Sequence, residues 1–231
     1  SKFQAYRPAV FGFVGSFCIQ AAVASTHTLF IIIPYDMVFM ILIRLTALQF
    51  RMVNKEWKTL FDADLSSKKG IEEFRGRFRR CIKHYDFLLQ YTKTINDRYS
   101  LHLAVILFAV IVGNDIMEIY RIANAATIES AIRSVCYVAA GVLVIFLLCF
   151  MIPAQELTDE AGKAAENIYF SLWYNAPEHA KPILNIIAKS NKPVKIAPFG
   201  MMELSSESGL AVVKGMFSYA MFLKTMKDMS N

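Results

Sequence analysis

Long apolar runs separated by amphipathic segments dominate the chain. Residues 8–35 carry no charge if His27 is neutral, residues 135–152 carry none, and residues 99–114 form a shorter run. About 20 predominantly apolar residues can cross a bilayer as a helix. The pattern therefore predicts an all-α, polytopic membrane bundle. Asp115 and Glu118 follow the run 99–114, as suits a helix that emerges into a polar or protein-lined region.

The first apolar run leaves two interpretations open, because it continues through residues 37–43 after Pro34 and Asp36. One is a single helix of about 40 residues that projects beyond the bilayer at 1.5 Å per residue. The other is a hairpin that turns at Pro34. Only seven apolar residues, 37–43, precede Arg44, which is too few to cross again, so the long helix is favoured, with a kink allowed at Pro34.

Amphipathic segments lie between the apolar runs. Apolar residues recur every three or four positions over 70–99 and 156–173, the spacing of one helical face. With residues 182–187 they predict a helical layer outside the membrane. Helices lying on the membrane surface are the alternative, but their polar faces lack the strong basic character that this favours. Packing between subunits is preferred, and residues 65–70 are expected to form a mobile loop.

The last apolar segment, residues 210–223, has two different faces at helical spacing. One stripe is apolar, with Leu210, Val213, Phe217 and Met221; the other is mixed, with Ala211, Lys214, Ser218, Phe222 and Thr225. A helix surrounded by lipid would not keep Lys214 unless its amine reached water. The pattern predicts a helix with one wet side. A terminal helix packed on its own bundle, with lysines at the surface, fits the pattern about as well.

Composition and charge support a membrane setting and give it an orientation. The chain is 55% hydrophobic and 19% charged, against roughly 25% charged in soluble domains. Residues 51–98 hold twelve Lys and Arg, residues 113–133 two, and residues 153–195 five. Because cytoplasmic loops attract basic residues, the first and third segments are expected inside and the C-terminus outside. That topology is the reverse of a G-protein-coupled receptor. Interleaved acids argue against a nucleic-acid face.

Motifs of enzymes and metal sites are missing from the sequence. It contains no phosphate loop, no nucleophile elbow and no HExxH, and its four cysteines lack zinc spacing. No enzyme activity, cofactor or metal is expected. The chain also lacks an initiating Met and a signal-peptide pattern, so we expect that it starts inside a longer protein.

The order of short motifs along the chain resembles the C-terminal half of insect odorant receptors. The motifs are His84 with Leu88 and Leu89; Glu166, Asn167, Ile168 and Tyr169 leading to Trp173 and Tyr174; Ser190, Asn191, Lys192 and Pro193; Phe199 and Gly200; Leu204 and Ser205; and the closing pair Ser218 and Tyr219. Each motif is loose, and their order and spacing carry the resemblance. Related gustatory receptors close on Thr and Tyr followed six residues after the Tyr by Gln, where this chain has Thr225.

The resemblance implies an odorant-gated, non-selective cation channel in the plasma membrane, with four subunits around a central pore. The expected segments are a fourth membrane helix at 1–50, a linker and anchor helix at 51–98, membrane helices five and six at 99–153, anchor helices at 154–195 and a final pore-lining helix at 196–231. The expected partners are an odorant, the lipid membrane, and either the co-receptor or identical subunits, with a short linker favouring an odour-tuning subunit. A gustatory-receptor-like channel or a membrane transporter subunit is the alternative.

Two sets of residues are expected to carry that function. A volatile ligand needs a small, largely apolar cavity with few polar anchors, and the outer halves of the first and third spans should supply it through Phe13, Phe17, Gln20, Ala21, Ala24, Tyr137, Ala140 and Gly141. Helix packing through small residues explains any one of these positions equally well. Matching Ser218 and Tyr219 to the family's closing pair places the gate at Phe222 and Met226, with Thr225 beside it and Lys214 in a vestibule.

Overall fold

The computed structural model describes residues 33–62, 67–192 and 194–230. All regular elements among these residues are helices, which confirms the all-α prediction. The chain falls into two compact units, residues 1–41 and 42–231. Of the first unit, only residues 33–41 are described. The predicted ligand residues Phe13, Phe17, Gln20, Ala21 and Ala24 lie outside the described residues.

The first described helix, α1, covers Ile33–Leu60. It runs without a break through Pro34, Tyr35 and Asp36, so the structure excludes the hairpin turn considered at that point. The helix also continues ten residues past position 50, to Leu60. At about 1.5 Å per residue it is long enough to cross a membrane, and its composition is apolar enough to do so.

The second helical path runs from Lys68 to Ala123. It consists of α2 (Lys68–Ala104), a π-helical stretch (Val105–Val112) and α3 (Gly113–Ala123). The Ile71 N–H donates to the Ser67 carbonyl at 2.9 Å and starts α2. Residues 68–70 are therefore its first turn and not part of a loop, so the expected mobile loop was wrong for them. The predicted amphipathic helix does continue straight into the run 99–114.

The third helical path runs from Ile128 to Tyr169. It consists of α4 (Ile128–Val138), a π-helical stretch (Ala139–Met151) and α5 (Ile152–Tyr169). The Thr127 hydroxyl caps it by accepting a hydrogen bond from the Ser130 N–H at 3.3 Å. This path contains the uncharged run 135–152 and is the second described helix that is long and apolar enough to cross a membrane.

The amphipathic ends of these helices pack together into a layer with an aromatic core. Trp57, Phe61, Phe74 and Phe78 are almost fully buried and their rings meet at centroid distances of 5.6 to 6.5 Å. The Tyr85 hydroxyl donates to the Ala161 carbonyl at 3.0 Å and ties α2 to α5. Helix α6 (Ala180–Ser190) joins through Ser190, whose hydroxyl donates to the Gly162 carbonyl at 2.9 Å. These helices therefore bury their apolar faces within one chain.

The last helix, α7, covers Ser206–Ser230. The apolar pattern alone placed its ends at Leu210 and Leu223. The helix begins four residues earlier and ends seven residues later. Its buried residues Met216 and Ala220 form one cluster with Ile119 of α3 and Val142. At its start, a methyl group built on Gly209 would lie 3.0 Å from the Met151 side chain. Helix α7 thus packs on α3 and on the stretch Ala139–Met151.

Candidate functional site

An open cavity of about 720 Å³ lies between α3, α4 and the start of the stretch Ala139–Met151. One wall carries polar side chains of α3, namely Asn114, Asp115 and Glu118. The facing wall carries Tyr137, Ala140 and Gly141. The cavity lies beside the turn that joins α3 to α4, which is the segment expected outside the membrane. Its volume falls in the range of small-molecule sites, about 300–1,000 Å³.

Three predicted ligand residues meet at this cavity. Tyr137, Ala140 and Gly141 follow one another at helical spacing, and all three line it. Tyr137 is 61% exposed and presents both ring area and a hydroxyl. The structure therefore brings these three together around one space, and their contact with a ligand stays a prediction.

Asp115 is a cavity residue that the sequence analysis did not select. It is only 4% exposed, and a methyl group built on Gly141 would lie 2.5 Å from its Oδ1 atom. The absence of a side chain at position 141 is what allows the carboxyl group to fit against the neighbouring helix. In the sequence, a carboxylate one residue past an apolar run reads as the end of a span. Only the crossing of α3 over Gly141 shows that Asp115 points inward.

The other charges of the cavity differ from Asp115 in their surroundings. Glu118 accepts a hydrogen bond from Arg121 three residues later on α3, so this carboxylate is neutralised locally. Arg133 reaches the cavity from α4. Ile145 adds apolar surface further along the stretch Ala139–Met151. The cavity thus combines apolar walls with a few polar groups, the composition that orients small molecules.

The exposed face of α7 is the second candidate site. The mixed stripe predicted from the sequence is exposed at every position in the single chain: Ala211, Lys214, Ser218, Phe222 and Thr225. Phe222 and Met226 are 56% and 53% exposed, and their positions are one turn apart on the same face. These residues are therefore open to contact from outside the chain.

The packed face of α7 shares only Val213 with the apolar stripe read from the sequence and no residue with the mixed one. Met216 and Ala220 are buried, whereas Leu210, Phe217 and Met221 of the apolar stripe are 49 to 55% exposed. The small residues Gly209 and Ala220 allow the helix to approach its neighbours closely, as in many membrane helix pairs. An apolar stripe therefore did not identify the packing face, because lipid accepts apolar side chains as readily as a protein core does.

The sequence of the chain also matches known proteins. A family model described as 7tm Odorant receptor matches residues 4–217. Odorant receptor 22c of Drosophila melanogaster is 22% identical to the chain over 186 residues. That alignment covers 76% of this chain and 44% of the relative. The chain thus spans less than half of the length of the curated relative it matches.

Proposed function

Since the chain belongs to the 7tm odorant receptor family, we propose that it is a chemosensory membrane subunit of an odorant-gated, non-selective cation channel. The observation that carries this proposal is the division of α7 into a packed face and an unpacked, partly polar face. Met216 and Ala220 are buried within the chain, while Lys214 and Ser218 are exposed. A membrane helix keeps polar side chains on one face where that face meets water or another subunit.

In the proposed channel, α7 lines a central pore in an assembly of four subunits. Phe222 and Met226 of each subunit form two apolar rings, with Thr225 beside them. Narrow apolar rings exclude ions by dewetting. Lys214, two turns from Phe222, lies in a wider vestibule where water hydrates its amine, and Ser218 lies between them on the same stripe. The exposure of all five side chains in the single chain supports this arrangement.

The odorant binds in the outer half of the bundle. The cavity of about 720 Å³ lined by Tyr137, Ala140 and Gly141 supports this placement. Its walls belong to α3, to α4 and to the stretch Ala139–Met151, and α7 packs on the first and the last of these. A ligand that favours one spacing of these walls therefore shifts α7 as well, and the channel opens only if the ligand binds the open arrangement more tightly.

The assembly lies in the plasma membrane with its C-terminus outside, because the basic segments 51–98 and 153–195 are cytoplasmic. The packed layer of α1, α2, α5 and α6 then lies inside the cell and anchors subunits to one another. The partner subunits are the co-receptor or identical copies. Exposed aromatic residues of the layer support a contact there: Tyr169 is 65%, Phe170 77% and Tyr174 63% exposed.

The test of this proposal is current recorded from cells that express Phe222→Ala or Met226→Ala receptors. Either change widens an apolar ring, so we expect raised current without odorant or altered ion permeability. The chain offers matched controls in Phe217→Ala and Met221→Ala, which remove the same side chains from positions about 140° away on the same helix. Phe217 and Met221 are 49% and 51% exposed, about as much as Phe222 and Met226.

Two outcomes contradict the proposal. Unchanged permeation in both Phe222→Ala and Met226→Ala receptors removes α7 from the pore. An odorant-dependent flux without unitary currents would show that the protein is a transporter and not a channel.

A further inference from the structure

Asp115 is the buried polar group of the outer cavity that the described residues leave unsatisfied. Its Oδ2 atom is buried and accepts no hydrogen bond within the described part of the chain, and no described cation lies within ion-pair distance of it. Nearly all buried polar atoms in folded proteins have a partner, because leaving one unpaired costs its full desolvation. A group that lines a ligand-sized cavity and lacks a partner points to a ligand that supplies one.

The carboxyl group is also held in place. Ile119, one turn further along α3, is buried against Val142 and Met216, so this face of α3 cannot rotate away from the bundle. On the other side, Oδ1 lies against the backbone at Gly141. Asp115 therefore lies between two helices, beside the cavity that Ser134 and Tyr137 also line.

We propose that Asp115 is the hydrogen-bonding anchor of the odorant site, and that the cavity prefers small apolar molecules carrying an O–H or N–H donor. This inference rests on the proposed function and adds the chemical class of the ligand. A carboxylate accepts hydrogen bonds through both oxygens, and a protonated carboxyl group still has an accepting oxygen. An alcohol or an ammonium group satisfies Oδ2, whereas an ether or a hydrocarbon of the same shape leaves it unpaired.

The neighbouring charges are compatible with this class. Glu118 is paired with Arg121 and adds no free negative charge, so Asp115 supplies the main unpaired acceptor. Arg133 of α4 lines the same cavity and would be the anchor for an anionic ligand such as a fatty acid. The two anchors favour opposite ligands, which makes them separable by experiment.

The test compares isomeric ligands on wild-type and variant receptors in the same cells. The probes are 1-octanol, its isomer 1-methoxyheptane, octylamine and octanoic acid, with the same series at chain lengths of about six to ten carbons. We expect the wild type to respond to the alcohol at concentrations about tenfold lower than to the ether, because the ether leaves Oδ2 unpaired. Asp115→Leu should abolish that ratio while the ether keeps its potency.

Two further variants keep the result interpretable. Asp115→Asn retains an accepting oxygen but carries no charge. It should therefore keep part of the preference for the alcohol over the ether and respond more weakly than the wild type to octylamine. Glu129→Gln removes a carboxylate from an exposed position at the start of α4 and should leave the wild-type ratio unchanged. Surface labelling shows whether Asp115→Leu reaches the membrane, and Asp115→Asn decides the matter if it does not.

The anchor is overturned if the alcohol preference survives in Asp115→Leu, or if the wild type prefers the ether. It is also overturned if the wild type prefers octanoic acid and Arg133→Gln removes that preference. Thermal stabilisation of the purified protein by the same probes separates this inference from the proposed function. A donor preference in binding that depends on Asp115 but evokes no current rejects the channel and keeps the anchor. Odorant currents that are indifferent to Asp115 reject the anchor and keep the channel.

Discussion

At the scale of single residues, Tyr137 contributes more contact area to the cavity than its small neighbours Ala140 and Gly141 can. We expect Tyr137→Ala to shift the response toward bulkier odorants, because removing the ring enlarges the cavity, with surface expression unchanged. Dose–response curves over a ligand panel measure the shift. Ile132→Ala is the control, since Ile132 is 59% exposed on the same helix and does not line the cavity. An unchanged profile in Tyr137→Ala would mean that the pocket is elsewhere.

Glu160 is a buried carboxylate of the packed layer of α1, α2, α5 and α6, and its neighbours stabilise its charge. Burial alone raises its pKa, but the hydrogen bond from Lys163 and the positive charges of Lys163 and Arg51 outweigh burial and hold the pKa below its ordinary value of 4.5. Lys163 Nζ lies 2.8 Å from Oε1. Because the folded state lowers this pKa, Glu160 stabilises the fold above about pH 4.5, and the contribution is lost as the pH falls through the lowered pKa.

We therefore expect Glu160→Gln to destabilise the protein at pH 7 by about 1 kcal/mol, a modest value because Arg51 and Lys163 are half exposed. The loss should shrink at pH values below the lowered pKa, where the wild-type carboxylate is itself protonated. Thermal unfolding of purified protein at pH 7 and at a pH below the lowered pKa measures this destabilisation. Asp159→Asn, an exposed neighbour on α5, serves as control. A loss that does not depend on pH would assign the effect to packing.

At the scale of elements, the turn before α7 is fixed to α2. The Ala197 N–H donates to Asn96 Oδ1 at 2.8 Å, and the Phe199 N–H to the Ser100 hydroxyl at 3.4 Å. Asn96 and Ser100 are four residues apart and share a helix face. Phe199 and Gly200 have positive φ angles of 50° and 68°, a conformation that costs free energy for phenylalanine, so these contacts hold a strained turn.

Asn96→Ala should release that turn. The Ala197 N–H loses its acceptor, and we expect destabilisation by about 1–2 kcal/mol together with altered basal current, because the start of α7 is freed. Asn96→Asp keeps an accepting oxygen at the same place and should behave nearly as the wild type. Thermal unfolding and current recordings on the same variants test both parts. Equal stability of Asn96→Ala and wild type would show that the contact is dispensable.

The packing of α7 gives a second prediction at this scale. Met216 is 1% exposed and contacts the cluster around Ile119 and Val142, so Met216→Ala should leave a cavity and cost about 2 kcal/mol. Met221→Ala is a matched control, because Met221 is 51% exposed. We expect a lower unfolding temperature for the first variant only. The same loss in both would place the packed face of α7 elsewhere.

The elements differ in how far the sequence could predict them. The run 135–152 and the helix entering residue 99 follow from length and periodicity, which depend on local chemistry alone. The packed face of α7 does not, because Leu210 and Phe217 are apolar whether they meet protein or lipid. The inward position of Asp115 depends on Gly141 in another helix, a tertiary contact that leaves no trace in local sequence. Three of the predicted ligand residues nevertheless meet at one cavity, since a helical face is a local property.

At the scale of the whole molecule, the second and third helical paths connect the cavity beside Asp115 with the packed layer of α1, α2, α5 and α6. Lys68–Ala104 continues through Val105–Val112 into the helix that carries Asp115. Ile119 of that helix also contacts Met216 and Ala220 of α7. One continuous helical path therefore touches the cavity, the proposed pore helix and the layer, so we expect a shift at the cavity to be transmitted without a separate linker.

An odorant from outside the cell can act through this connection only if the cavity is extracellular. Topology is therefore the decisive prediction. With twelve basic residues in segment 51–98 on the inside, the odd number of crossings that follows places the end of α7 outside. An epitope fused after Asn231 should bind antibody on intact cells. An epitope inserted after Asp62, between α1 and α2, should bind only after permeabilisation. The reverse labelling pattern would place the cavity inside the cell, out of reach of an external odorant, and the basic segments would then lie outside.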